Sequence, residues 1–357
     1  MSDSDSVEVR QSMAGGAAAV FARNESQQAS LGDFQIRKLI GKGTFGKVFL
    51  VEHAQTRKLY AMKVIRKDII LENEQMENIQ LEKDILRQID HPFLVNMEYV
   101  FQNQYRIYFL MKFVKGGELF RHLVEVRMFP ENQAKFFAAQ VALALSHLHQ
   151  KGIIYRDLKP ENVLVGEDGY LLVADFGLAK FIQQGELANS FCGTAEYLAP
   201  EMLIGNGHDF TVDWWALGIL IFEMIVGIPP FFHRNKHRMY FLIRESPVSF
   251  PDPVRHRITV SREAQDLIVK LLNKDRTQRL GVNGIDEILQ HPWFADLDLN
   301  ALVQKQITPP YVPRVQDDLA YFDKNLTSQT EVTDTILTAS QRAVINSDKD
   351  AFEGFSQ

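Results

Sequence analysis

Gly41, Gly43 and Gly46, a lysine inside an apolar run at Lys63, and Glu82 are the first residues whose types and spacing carry chemistry. Alone, Gly41-x-Gly43-x-x-Gly46 fits a dinucleotide-binding turn or an ordinary loop. A dinucleotide site runs strand, glycines, helix, whereas Gly46 leads into Lys47-Val48-Phe49-Leu50-Val51, which reads as a second strand. Two strands joined by a glycine flap can lie over phosphates, because backbone N–H groups approach oxygens that a side chain would hold off. Lys63 follows Ala61-Met62 in an apolar segment, where an ammonium must reach water or meet an anion. Glu82 falls between Ile79 and Leu86 on the apolar stripe of a helix, so its carboxylate needs a cation. Pairing Glu82 with Lys63 satisfies both, either as a structural ion pair or as a device that points the ammonium at a nucleotide phosphate. Farther along, acids, an amide and a lysine gather in Tyr155-Arg156-Asp157-Leu158-Lys159-Pro160-Glu161-Asn162, Asp175-Phe176-Gly177 and Ala199-Pro200-Glu201.

The elements that must position these groups change character along the chain. Ile36 to Val51 reads as strand, glycine turn and strand, Leu59 to Ile65 as a third strand, and Met76 to Ile89 as a helix with Met76, Ile79, Leu86 and Ile89 on one stripe. Strands near Met97 to Phe101 and Ile107 to Phe113 complete a small, mostly antiparallel sheet with one helix. Beyond Gly116-Gly117 helices dominate: Glu131 to Gln150 is periodic, and Trp214 to Val226 is apolar almost all round, the signature of a buried central helix that stops before Pro229. Val163 to Val165 and Leu171 to Ala174, joined by Gly166-Glu167-Asp168-Gly169, read as a short hairpin. Residues 1–30, rich in Ser, Ala, Gln and Gly, read as a flexible tail. The stretch after Phe294, with Pro309-Pro310, Pro313 and scattered aromatics, reads as a segment that wraps a surface without a core of its own.

Composition narrows the function classes. At 357 residues and 46% apolar, the chain is long enough for two lobes and too apolar for wholesale disorder. A net charge of −6 offers no field for a polyanion and argues against nucleic-acid binding. Cys192 is the one cysteine, so no internal disulfide or cysteine zinc site can form, and a reducing compartment follows. The acidic start lacks the basic region of a secretory signal, Ser2 excludes the myristoylation pattern, and Glu223 and Pro229-Pro230 interrupt the most apolar stretch, which falls short of a membrane span. A soluble protein in the cytoplasm or nucleus is expected, and the sequons at Asn24 and Asn325 read as coincidence.

Taken together, the glycine loop, Lys63, Glu82, Asp157 to Asn162, Asp175-Phe176-Gly177 and Ala199-Pro200-Glu201, in that order, resemble the eukaryotic protein kinases over residues 34–294. Tyr155 before Arg156-Asp157, Phe191-Cys192-Gly193-Thr194 and His91-Pro92-Phe93-Leu94 are similar to the AGC branch, which holds protein kinases A, B and C. The tail layout is closest to protein kinase B and the serum- and glucocorticoid-regulated kinases. The resemblance implies an α+β, bilobal fold: residues 31–112 as a small antiparallel-sheet lobe with one regulatory helix, 113–294 as a larger, mainly helical lobe, and 295–357 as a C-terminal tail with a hydrophobic motif. It implies in-line transfer of the ATP γ-phosphoryl group, with Mg²⁺ or Mn²⁺ as its substitute, to Ser or Thr hydroxyls of proteins. Asp157 would accept the hydroxyl proton, Lys159 would steady the phosphoryl group, Asn162 and Asp175 would hold the metal, and Lys63, paired with Glu82, would clamp the α/β-phosphates. Ile40, Val48, Ala61, Met111, Leu164 and Phe322 would surround adenine, and Glu118 would reach the ribose.

Regulation and substrate choice follow from the same resemblance. Arg156 and Lys180 would meet a phosphate on Ser190, and Ala351-Phe352-Glu353-Gly354-Phe355-Ser356 would dock its aromatics beside the Glu82 helix with a phosphate on Ser356. A further phosphosite falls at Thr333 or Thr335. Glu118, Glu161 and Glu223 would receive arginines upstream of the acceptor. Asp213 would support the catalytic loop, and Glu201 with Arg279 would anchor the activation segment. An upstream activating kinase and a monomeric chain are expected. Gln357 in place of the usual last aromatic, Leu326 in place of a second Phe, Ala195 after Thr194 and Lys112 in the hinge depart from the branch pattern. A nucleotide-binding scaffold without turnover and a small-molecule kinase are the rival classes. The presence of Lys63, Glu82, Asp157, Asn162 and Asp175 argues against the first, and Ala199-Pro200-Glu201 with its peptide-facing acids against the second.

Overall fold

Alternating apolar residues build the first sheet. In the computed structural model, which describes residues 30–43, 46–183, 185–329, 337–348 and 350–355, strands β1 (Phe34–Lys42), β2 (Gly46–His53), β3 (Leu59–Arg66), β4 (Met97–Gln102) and β5 (Arg106–Lys112) pair antiparallel in the order β1-β2-β3-β5-β4. Strand periodicity splits β3 between two faces. Tyr60, Met62 and Val64 join an aromatic cluster with Phe34, Phe101 and Tyr108 on one face, while Ile65 and Phe109 pack into the main core on the other. Lys63 lies on that second face, opposite Val48 of β2 and Phe109 of β5. Gly46 permits the β2–β3 approach, since a Cβ there would sit 2.0 Å from the Val64 carbonyl oxygen.

Two helices cover the sheet, α1 (Lys67–Glu72) and α2 (Met76–Gln88), where the sequence suggested one. Six residues are too few for a periodic signal, and α1 is held instead by fully buried Ile70 and by the Asp68 carboxylate, which accepts from Arg66. The second lobe is built on α3 (Leu119–Val126), α4 (Glu131–Gln150), α5 (Pro200–Ile204), α6 (Thr211–Val226), α7 (Lys236–Glu245), α8 (Pro253–His256), α9 (Arg262–Leu271), α10 (Asp286–Leu289) and α11 (Leu299–Val303). Every residue of α6 except Val226 is buried. Gly218 lets α9 approach, because a Cβ there would meet Leu271 Cβ at 2.9 Å. The hairpin β7 (Val163–Val165) and β8 (Leu171–Val173) and the two-residue pair β6 (Ile153–Ile154) and β9 (Lys180–Phe181) frame the loops between them. An α+β bilobal architecture follows, as the sequence suggested. Among the described residues no helix is long and apolar enough to cross a membrane.

The chain after Phe294 covers surfaces made by both lobes. Tyr170 donates its hydroxyl to the Ile307 carbonyl at 2.6 Å, and buried His122 contacts the Tyr311 hydroxyl and the Gly116 carbonyl, each at 2.7 Å. Leu326 of α12 (Lys324–Thr327) packs on the aromatic cluster of the sheet. Helix α13 (Ala339–Ser347) lies against α1. The expected tail at the N-terminus and the phosphosites Thr333, Thr335 and Ser356 lie outside the described residues.

Candidate active site

The cleft between the lobes receives Lys63 from above. Its ammonium lies 2.5 Å from Glu82 Oε1 and 3.6 Å from Asp175 Oδ1, with Glu82 only 3% exposed. Burial would draw the Lys63 ammonium down, but the neighbouring carboxylates of Glu82 and Asp175 outweigh it and hold it above its ordinary range. Lys63 therefore stays a cation at the mouth of the cleft. Helix α2 supplies Glu82 because Ile79, Ile85 and Leu86 are buried beside it and fix the helix face.

The lower wall is a web around Asp157. Lys159 Nζ donates to its two carboxylate oxygens at 2.9 and 3.2 Å, Thr194 Oγ1 donates to Oδ1 at 3.2 Å, and Asn162 Nδ2 donates to Oδ2 and to the Asp157 carbonyl at 2.8 Å. Asp175 is stitched to the same loop. Tyr155 Oη donates to the Ala174 carbonyl at 2.5 Å, and the Ala174 amide donates to the Asn162 carbonyl at 2.8 Å. The Asp175 side chain is 54% exposed in the cleft. Lys63 above all holds its carboxyl below the usual carboxylate range, against the effect of burial, with help from the Gly177 amide and Lys159.

Arg156 and Asp175 have left-handed backbones, φ 66° and 56°, conformations that cost energy for residues with a Cβ and persist where the surroundings impose them. The fully buried carboxylate of Asp213 accepts the Tyr155 and Arg156 amides at 2.9 and 2.8 Å and lies 2.8 Å from His149 Nε2. A second buried pair sits below: Arg279 grips Glu201 through two bonds, 2.6 and 2.9 Å, and donates to the Thr211 carbonyl at 3.0 Å.

Oxygen donors of the kind a hard divalent cation prefers are present in Asp175 and in the side-chain carbonyl of Asn162, whose amide nitrogen is already spent on Asp157. No cluster of three His, Cys, Asp or Glu side chains suited to a metal exists among the described residues, so such an ion would complete its shell with substrate oxygens or water. The apolar walls for a planar base are in place. Met111, Leu164 and Ala174 pack on Val95, Val114 and Leu172, Val48 lies across from Lys63 and Ala61 from Met111, and Ile40 precedes Gly41 on β1. Phe322 stacks on Phe113 with ring centroids 5.4 Å apart.

The remaining sequence-selected residues fall in three places. Arg156 Nη1 donates to Ser190 Oγ at 2.6 Å, while Lys180 sits on β9 opposite Ile154. Glu118 stands at the N-terminal boundary of α3 without a side-chain cap bond, and burial first of all raises its carboxyl, with Glu161 and Asp323 adding to the effect and Arg121 opposing it. Glu223 is 9% exposed and accepts the Tyr197 hydroxyl; burial pushes it up to about 7. At the far end of the chain, Phe352 and Phe355 are 3% and 1% exposed against the small lobe. Lys83, beside Glu82 on α2, donates to the Phe355 carbonyl at 3.0 Å and lies 4.5 Å from the Phe355 ring centroid.

Three participants escaped the sequence reading. Thr194 bridges Asp157 and, at 3.1 Å, Lys159, Tyr197 ties down Glu223, and Lys83 holds the tail. Only Lys83 carried a signal, since it lies four residues after Ile79 on the stripe that singled out Glu82.

Two lobes closing on a lysine–glutamate pair above and an Asp-Lys-Asn loop with a second aspartate below define a protein kinase. The family model described as protein kinase domain matches residues 34–294, and the chain belongs to that family, in its AGC serine/threonine branch. It is 40% identical over 339 residues to Protein kinase 2 of Dictyostelium discoideum, covering 94% of this chain and 69% of the relative. It is 40% identical to the serine/threonine-protein kinase sgk-1 of Caenorhabditis elegans, covering 93% and 71%, and 41% identical to the serine/threonine-protein kinase Sgk1 of Xenopus tropicalis, covering 93% and 82%. The protein is a serine/threonine protein kinase that uses ATP and a divalent metal.

Proposed function

We propose that the chain phosphorylates Ser and Thr residues that follow arginines in protein substrates, with Mg²⁺ as the working ion and Mn²⁺ as its substitute, in a signalling pathway of the cytoplasm or nucleus. One observation carries the reading: the Lys63 ammonium and the Asp175 carboxylate approach within 3.6 Å on one side of the cleft, while Lys159, Asn162 and Thr194 converge on Asp157 on the other. Phosphoryl transfer asks for positioning and charge neutralisation more than for covalent participation. Lys63, kept charged by Glu82, binds the α/β-phosphates. Asp157 orients the acceptor hydroxyl and takes its proton, and Lys159 turns toward the transferred group. Asn162 and Asp175 would hold Mg²⁺, which would neutralise phosphate charge when bound. The backbone bonds of Asp213 keep Asp157 in place against the strained Arg156, and the Glu201–Arg279 pair anchors the end of the activation segment.

Control rests on Ser190, whose hydroxyl already meets Arg156. A phosphate added by an upstream kinase would form charge-assisted bonds to Arg156, reinforced by Lys180. Phosphates on Ser356 and on Thr333 or Thr335 complete the set. Glu118, Glu161 and Glu223 are the arginine receptors, and the chain works as a monomer. The test is turnover with Mg-ATP and a basic serine peptide beside an Asp157→Asn control. Loss of a general base lowers kcat by about a hundredfold to ten-thousandfold. Equal turnover in the control would remove Asp157 from its role.

A further inference from the structure

Beyond the end of the buried helix α6 the chain turns basic. Residues 232–245 carry Arg234, Lys236, Arg238 and Arg244 against one acid, Glu245, in a chain whose net charge is −6. All four cations are exposed, and none meets a carboxylate among the described residues. Helix α7 does not need them for its place in the fold. Met239 and Ile243, 1% and 0% exposed, anchor its inner face, Asn235 caps it by accepting the Arg238 amide at 3.0 Å, and Lys274 donates to the Ile243 carbonyl at 2.6 Å. At about 100° per residue, Phe241, two positions from each anchor, points opposite their midline. It is 42% exposed, and Phe232, ahead of the helix, is 50% exposed. The Arg238 guanidinium lies 4.9 Å from the Phe241 ring centroid, and His237 and Arg244 fall on the other side of the ring around the helix. An aromatic at the crest of a convex face, ringed by cations, offers no cleft to grip a polypeptide. It matches the boundary between lipid headgroups and acyl chains.

We infer that the face made by residues 232–244 rests on an anionic lipid bilayer, with the headgroup anions over the cations and Phe241 in the acyl boundary. Cytoplasmic leaflets carry such lipids, and each Lys or Arg brought near one contributes about fivefold in partitioning, so the four together favour an anionic over a neutral surface by roughly several hundredfold. The contact is peripheral, since α7 has 10 residues and lies along the interface without crossing it. Cosedimentation of the full chain with unilamellar vesicles tests this. The chain partitions to vesicles of phosphatidylcholine with phosphatidylserine, does not partition to phosphatidylcholine alone, and leaves the anionic vesicles at high salt as the charges are screened. Arg238→Ala with Arg244→Ala lowers the partition coefficient about thirtyfold, and Phe241→Ser lowers it about tenfold with the charge unchanged. Arg238→Lys with Arg244→Lys keeps native partitioning, and turnover of a soluble serine peptide stays native in every variant. Absence of partitioning to the anionic vesicles overturns the inference. So does equal partitioning of the native chain and the double Ala variant, which places any lipid contact elsewhere. Native partitioning by Phe241→Ser also overturns it, because the contact is then diffuse charge alone. Were the patch to capture soluble polyglutamate, with loss in the double Ala variant, while vesicles stayed unbound, it would be a docking site for an acidic protein and the inference would fall.

Discussion

The proposed role of Glu223 as an arginine receptor predicts substrate binding that is sensitive to pH near neutrality. Burial raises its carboxyl to about 7, the Tyr197 hydroxyl pulling the other way and Glu161 and Glu196 adding to the rise. Only the carboxylate pairs well with a guanidinium. A group with that pKa is about one-tenth ionised at pH 6 and about nine-tenths at pH 8, so affinity for the arginine it is proposed to receive is expected to rise about ninefold over the interval, ~1.3 kcal/mol. Glu118 is raised in the same direction, chiefly by burial. The assay is fluorescence anisotropy with a peptide whose acceptor is Ala, which isolates binding from the titration of catalytic groups. A second peptide with norleucine in place of arginine, and the Glu223→Gln enzyme, provide two controls that flatten the profile. A pH-independent Kd for the arginine peptide in the native enzyme, or the same slope in Glu223→Gln, would refute the argument. The linkage to stability has the opposite sense. Because the folded state keeps a proton that the unfolded chain releases near pH 4.5, this group makes folding less favourable as pH rises from there to about 7.

Three further outcomes follow from the same contacts. Glu201→Gln strands the Arg279 guanidinium, which is 0% exposed, and lowers stability by about 3–5 kcal/mol; urea unfolding with an unchanged m-value measures it, and a loss below about 1 kcal/mol contradicts the anchoring role. Phe355→Ala removes a ring stacked on Phe109 at 6.1 Å and weakens tail docking by on the order of 3 kcal/mol; hydrogen exchange in α13 rises and peptide turnover falls, whereas unchanged protection and turnover reject the coupling. Ser190→Ala sharply reduces peptide phosphorylation in enzyme recovered from cells, and undiminished turnover in the unphosphorylated protein refutes control at that position.

The fold was legible where period and burial coincide. The five-stranded sheet, α2 and the buried α6 all follow from spacing, because each presents an apolar face long enough to count. Helix α1 was not, since six residues do not establish a period. At the site, a charged residue on an apolar stripe is a strong sign, and it is how Lys63 and Glu82 are drawn together from positions 19 residues apart. The same sign at Lys83 leads to a carbonyl 272 residues away, a partner that no local pattern specifies. Thr194 and Tyr197 lie beyond local inference for a related reason: a hydroxyl in an activation segment has no periodic context, and its bonds to Asp157 and Glu223 exist only after α6 and the catalytic loop have packed.

The distribution of burial explains how one active site can be both strained and adjustable. Asp213 accepts the Arg156 amide beside its left-handed backbone, and Glu201 pairs with Arg279, the pair proposed to hold the activation segment; Asp213 and Arg279 are fully buried in the helical lobe. Such bonds are hard to break, since an orphaned charge there has no water to fall back on. The groups proposed to meet substrate are placed differently. Lys63 and Lys159 are each 22% exposed and Asp175 54%, so their mutual contacts can be exchanged for phosphate, metal and hydroxyl at modest cost. Glu82 is the junction between the two regimes: it is buried, yet it sits on a helix whose neighbouring residue, Lys83, is bound to the tail. A shift of α2 by a fraction of a turn would separate Glu82 from Lys63, so the proposed control by the tail predicts that activity is set at α2 and the segment docked on it.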